Sequence, residues 1–247
     1  PVSWSWVVGG ICDKCTSKDK YIRCRIYDIF RDNIATPIGC RDDMFIGRVP
    51  KRVRKRVCRL ERDKKWWNQQ DRTLAQNIFG IFESYVLCAM GNSEAWRNLC
   101  LPSSNGVFTA HSVAKVYGAL ANGGIVDGTR ILSSEILDHI YNTIQDERHF
   151  LHNEASKKNG EPARLSLGFA PWALPSVHDP RVKHARRCIY HSGMGGFHAY
   201  ADPTRNLAVC VFSNLYEPLV HLKQNQAVPE FISDMTRIIR EEIDFSD

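Results

Sequence analysis

Two S-x-x-K strings stand in this chain, Ser17-Lys18-Asp19-Lys20 and Ser112-Val113-Ala114-Lys115, together with Ser103-Ser104-Asn105 and His191-Ser192-Gly193. On a helix that spacing sets a serine hydroxyl one turn from a lysine, the relationship a nucleophile and its base require. A turn ending in Asn could carry a second proton relay, and a His-Ser-Gly on a strand could hold an acyl group against backbone N–H donors. Chain order argues against reading them as one set. The nucleophile should open a buried helix upstream of the other two, yet Ser112 follows Ser103 and stands about three turns before a glycine stop. Ser17 precedes a highly charged segment, a place where serine caps a helix. Neither serine is expected to be a nucleophile, so the chain lacks a credible one.

Cys12-Asp13-Lys14-Cys15 has the spacing of a redox or metal motif, but no second C-x-x-C or His pair accompanies it at zinc-like distance. The nine cysteines, an odd number, lie scattered at 12, 15, 24, 40, 58, 88, 100, 188 and 210. That pattern favours a reducing, intracellular setting with buried or idle thiols, and neither metal nor cofactor is implied.

The elements that must position these residues occupy 247 positions, enough for a sizeable core. The 33 basic and 27 acidic side chains give a net charge of +6. Residues 51–65 (KRVRKRVCRLERDKK) alone contribute nine Lys/Arg against two acids, so the rest nets −1. A general nucleic-acid binder is thereby excluded, and the picture is a near-neutral globular chain carrying a basic insert at about 48–66. The insert is polar, lacks a clean apolar face and is expected to be a solvated loop or helix face. Its alternative is a polyanion-binding adaptor acting through 51–65. No run of apolar residues is long enough to span a membrane. The opening Pro1-Val2-Ser3, without Met, reads as a fragment.

Helices are expected over 6–14 and 18–30, ended by Thr36-Pro37-Ile38-Gly39. Residues 73–100 give no assignable pattern. Thr109 is a plausible N-cap for a helix with Val113, Val116, Tyr117 and Leu120, stopped by Asn122-Gly123-Gly124. A second helix is expected from about 134 to 145, with Ile136, Leu137, Ile140, Tyr141 and Ile144 on one face, and residues 146–163 read as a loop. The segments 187–191, 197–201 and 207–212 are short, β-prone and separated by glycine and Asp-Pro turns, so they must pair as an antiparallel meander. Leu207 to Phe212 is apolar at every position, as a central strand covered on both faces would be. A last helix over 229–242 would cover the sheet. The fold class is α+β, an antiparallel sheet flanked by helices.

At the meander the sequence resembles a known family. Tyr190-His191-Ser192-Gly193-Met194-Gly195-Gly196-Phe197, then Ala201-Asp202-Pro203, then Leu207-Ala208-Val209 through Ser213-Asn214-Leu215, resembles the last strands of the serine β-lactamase-related family. That family groups class C β-lactamases, penicillin-binding proteins and related esterases and peptidases. Trp6 to Gly10, Tyr21 through Gly39, Asn105 to Ala110 with Ala119 to Gly124, and Gly168-Phe169-Ala170 resemble its other segments in the same order.

The resemblance implies a β-lactamase/transpeptidase-like domain, incomplete at its N-terminus, with residues 1–247 forming the C-terminal portion of one domain. In the family S-x-x-K and a tyrosine motif lie upstream of the Trp6-like helix. His191-Ser192-Gly193 would match the family's K-T-G strand motif, with His in place of Lys, a departure that puts β-lactam hydrolysis in doubt. His191 would orient the substrate or assist proton transfer, Ser192 would bind its carboxylate or acyl portion, Gly193 would let it approach the strand, and the Met194 N–H would be an oxyanion donor. His198 and Tyr200 are expected to be structural. The implied activity is acyl-enzyme hydrolysis of a small-molecule or peptide ester or amide, provided an upstream nucleophile is present. The alternative is a non-catalytic binding domain.

Overall fold

In the computed structural model, the described residues are 2–16, 26–61, 84–142, 168–172, 188–193, 197–214 and 238. They fall into two compact units: Pro1–Ser112 with Asn214–Tyr216, and Val113–Ser213 with Glu217–Asp247.

The first unit begins with α1 (Val2–Thr16), longer than its apolar centre suggested. At Gly9, α1 comes close to α2 (Ile26–Phe30), with the Ile26 side chain 3.8 Å from where a Cβ would stand. A π-helical turn (Arg31–Ala35) continues α2, and Gly39, at φ +72°, closes the expected Thr36–Gly39 turn. Strand β1 (Met44–Ile46) pairs antiparallel with β2 (Gly106–Phe108), placing Phe45 opposite Val107. Phe45, Val49 and Val53 form a buried cluster, with Tyr27, Val57 and Val107 packed against it.

That cluster corrects the reading of the basic segment. Val53 and Val57 are four residues apart on a turn that includes a 3₁₀ helix (Arg54–Arg56), so the segment has an apolar side hidden among its charges. Its arginines are also satisfied locally. Arg52 pairs with Asp42, Arg56 with Asp43, and Arg54 with Glu94. Residues 62–66 lie outside the described residues. Farther on, the Asn92 side chain donates to the Leu60 carbonyl at 2.9 Å and accepts from the Leu60 N–H at 2.8 Å.

The stretch that gave no pattern contains α3 (Ser84–Asn92) and α4 (Glu94–Asn98), and the Ser93 hydroxyl caps α4 by accepting from the Trp96 N–H at 3.2 Å. Ser-Glu before a short helical turn was a usable signal there. Of the helix expected over 18–30, residues 26–30 form α2, and residues 18–25 lie outside the described residues.

Helix α5 (Ala110–Ala121) starts where expected, with the Thr109 hydroxyl accepting from the Ser112 N–H at 3.2 Å. Gly123 and Gly124, at φ +61° and +86°, terminate it. In the second unit a two-residue hairpin follows, β3 (Ile125–Val126) against β4 (Thr129–Arg130), turned by Asp127 and Gly128, both at positive φ. Asp-Gly between short strands is the I′ hairpin signature. Helix α6 (Ser134–Asn142) buries Leu137, Ile140 and Tyr141, whose hydroxyl donates to the Leu120 carbonyl at 3.0 Å. Ile136, expected on that face, is exposed. Ile144, the 146–163 loop and nearly all of the 229–242 helix lie outside the described residues.

The sheet of this unit has four strands rather than three: β5 (Ala170–Trp172), β6 (Cys188–Gly193), β7 (Phe197–Asp202) and β8 (Leu207–Phe212), in that order and all antiparallel. Asp202 fixes the β7–β8 turn. Its carboxylate accepts from the Thr204 N–H at 3.0 Å and pairs with Arg205 at 3.5 Å, and Asn206 takes φ +49°. Among the described residues β8 pairs only with β7, and its residues are half-buried or exposed. Its apolar run therefore does not mark a strand buried on both faces.

Candidate active-site strand

Strand alternation sorts the side chains of β6 to β8 onto two faces. Register places Tyr190 opposite Tyr200 and Ser192 opposite His198 on one face. On the other, His191 is opposite Ala199 and Gly193 opposite Phe197, which in turn pairs with Phe212. The first face is deeply covered: His198 and Tyr200 are buried, and their rings stack in a column with Tyr190, at centroid distances of 5.7 and 6.3 Å. Desolvation pushes the Tyr190 hydroxyl up and pulls His198 down to about 4, with the neighbouring His191 adding to the fall. These are properties of a core column.

The second face is covered at its middle and open at one end. Ile189, Ala199 and Ala201 are buried there. Tyr117 of α5 is also buried and sets its ring edge-on to Phe169 at 6.0 Å. Desolvation raises the pKa of Tyr117 and pushes the Cys210 thiol up to about 12, so that thiol is inert. At the end of the strands His191 and Phe212 are exposed. The His191 ring lies 6.4 Å from that of Phe197, and Phe197 stacks on Phe212 at 5.1 Å. The protein around the imidazole desolvates it enough to hold His191 below the ordinary histidine range, though solvent reaches its edge.

The β5 ladder ends at the Ala170–Tyr190 pair, so His191, Ser192 and Gly193 extend past it. Gly168, at φ +93°, turns the chain two residues earlier. A Cβ on Gly193 would stand 3.1 Å from the Phe197 ring, so the absent side chain makes room for that ring. Met194 lies outside the described residues.

The other candidates are engaged elsewhere. Ser112 is fully buried, and its hydroxyl donates to the Thr109 carbonyl at 2.8 Å, with the Asp43 carbonyl at 3.3 Å. Lys115 pairs with Asp127 at 2.6 Å. The buried Asn105 amide donates to the Trp96 and Leu99 carbonyls and accepts from the Leu101 N–H, binding its turn together. Ser17 lies outside the described residues. Among the described residues no three His, Cys, Asp or Glu side chains cluster as a metal site, and no helix is long and apolar enough to cross a membrane.

Solved structures with this arrangement define a β-lactamase/transpeptidase-like fold. A family VIII carboxylesterase superposes with a TM-score of 0.64 at 23% identity, covering 92% of this chain and 57% of that one. A penicillin-binding protein homologue from Caulobacter crescentus gives 0.56 at 22%, covering 94% and 57%. EstA from Arthrobacter nitroguajacolicus Rue61a gives 0.58 at 17%, covering 93% and 58%. The Beta-lactamase family model matches residues 6–229, and the chain belongs to that family. Among curated proteins it is 26% identical over 232 residues to the esterase/beta-lactamase LipL of Mycobacterium tuberculosis (strain ATCC 25618 / H37Rv), covering 89% of this chain and 48% of that protein. The chain thus spans about half the length of these relatives.

Proposed function

We propose that this chain supplies the substrate-binding strand of a serine hydrolase that cleaves esters, or amides, through an acyl-enzyme. The observation that carries the reading is His191 at the open end of β6, with its pKa held below the ordinary imidazole value; the sequence resemblance implies that it stands where the family's K-T-G motif carries its lysine. At neutral pH the side chain is an uncharged imidazole that can donate one hydrogen bond and accept another. Such a group suits a neutral ester carbonyl or leaving oxygen better than the carboxylate of a β-lactam, which an ammonium would pair. A family VIII carboxylesterase among the similar solved structures agrees with that preference, while the name of LipL covers both esterase and beta-lactamase.

The nucleophile has to come from a segment other than Ser112, whose hydroxyl is committed to backbone carbonyls. A serine oxygen supplied there would attack the ester carbonyl, the alcohol would leave with a proton, and water would release the acid and regenerate the serine. Ser192 and the Met194 N–H would contact the acyl portion and its developing oxyanion. The test is labelling of the full-length gene product with a fluorophosphonate, alongside turnover of p-nitrophenyl esters and nitrocefin. Labelling with ester turnover exceeding nitrocefin turnover is expected. Absence of both labelling and turnover would favour a non-catalytic binding domain.

A further inference from the structure

We propose that Phe197 and Phe212 form an aromatic shelf that binds the apolar acyl chain of the substrate, making medium-chain esters better substrates than acetyl esters. The inference rests on the hydrolase reading above and adds the class of acyl group. The two rings stack at 5.1 Å with planes 28° apart, and Phe197 sits beside the His191 ring at 6.4 Å, 32° apart. The row crosses three adjacent strands and begins at the candidate site. Gly193 lacks the side chain that would displace the Phe197 ring, so the strand motif itself seats the shelf.

Phe212 is 39% exposed, at the end of the strands where His191 is also exposed. The row also ends where the cover of this face ends, since Ala199 and Ala201 beside it are fully buried. An apolar chain held at His191 and directed along the rings would remove that remaining surface from water, which is the source of chain-length selectivity in hydrophobic subsites. Medium-chain acyl groups are long enough to lie along both rings, and acetyl is not.

The experiment uses the full-length gene product containing this chain, assayed on p-nitrophenyl acetate and octanoate. Phe212→Ala is expected to raise the ratio of octanoate to acetate KM by about tenfold, and Phe212→Leu by less than about threefold. Phe212 lies at the exposed end of the sheet, so Phe212→Ala removes the stack on Phe197 but no fully buried packing, and Phe212→Leu keeps an apolar cover over that ring. A ratio unchanged by Phe212→Ala would overturn the shelf. If the unsubstituted protein turns over no ester, the hydrolase reading falls instead, and the shelf is then read by NMR titration with octanamide and acetamide. Binding that favours octanamide and weakens about tenfold in Phe212→Ala upholds it, and no preference for octanamide overturns it.

Discussion

His191 and His198 lie on opposite faces of one two-strand ladder, His191 opposite Ala199 at the open end and His198 opposite Ser192 over the core. Two histidines on adjoining strands thereby acquire different work. The exposed one can meet a substrate, and the buried one stands in a ring column between Tyr190 and Tyr200.

For His191 the consequence is a pH profile. Its folded pKa lies below the ordinary value of 6.5, so the neutral form that the proposed ester contact requires is lost only on acidification. In the full-length protein, kcat/KM for p-nitrophenyl esters should rise with pH through an apparent pKa below 6.5 and stay flat through neutrality. His191→Lys should remove that inflection, raise the ester KM several-fold and shift preference toward nitrocefin. A profile centred above 6.5 would contradict the assignment.

For His198 the consequence is stability. The folded pKa of about 4 lies under the unfolded 6.5, so the unfolded chain binds the extra proton between those values. Stability is fully present above pH 6.5, declines as pH falls toward 4, and levels off below it, a loss on the order of 3 kcal/mol. Urea unfolding at pH 7 and pH 4.5 measures it, and His198→Gln should flatten most of the difference.

How much of this could be read from residues alone depended on range. The β6–β8 meander was legible because its turn chemistry is local: Asp202 folds its own turn, and the glycines after Gly193 punctuate the chain. The α5 cap at Thr109 was legible for the same reason. The β1–β2 pair was not, since Phe45 meets Val107 only through folding and neither segment is long enough to declare itself. Strand β5 carries Pro171, which weakens any strand assignment except at a sheet edge, its place among the described residues. In the candidate site the motif identified His191, but nothing in the spacing said that Phe197 would fill the space above Gly193. That required the register.

Ser112 tests the separation of motif from chemistry. Its buried hydroxyl bonds to the Thr109 carbonyl at the start of α5, so Ser112→Ala should lower unfolding stability by about 1 kcal/mol and leave ester turnover and fluorophosphonate labelling of the full-length protein intact. Loss of labelling with unchanged stability would make Ser112 the nucleophile after all.

The basic segment offers a test of structure against charge. Arg54 donates to the Val49 carbonyl at 3.2 Å and to the Asn98 side chain at 3.1 Å, and it pairs with Glu94, so one guanidinium ties the 3₁₀ turn to α4. Its side chain is 23% exposed, which places the interaction between a surface pair and a buried one. Arg54→Ala should therefore cost about 2 kcal/mol, whereas Lys55→Ala, on the exposed side of the same turn, should change stability by less than about 0.5 kcal/mol. Arg52, Arg54 and Arg56 are paired with acids of the same surface, which lowers the positive potential these three would present to phosphates. A duplex-DNA anisotropy titration should show weak binding with a salt slope corresponding to fewer than about four phosphates. Tight binding with a steep slope, abolished by Arg52→Ala with Arg56→Ala, would restore the polyanion role that these ion pairs argue against.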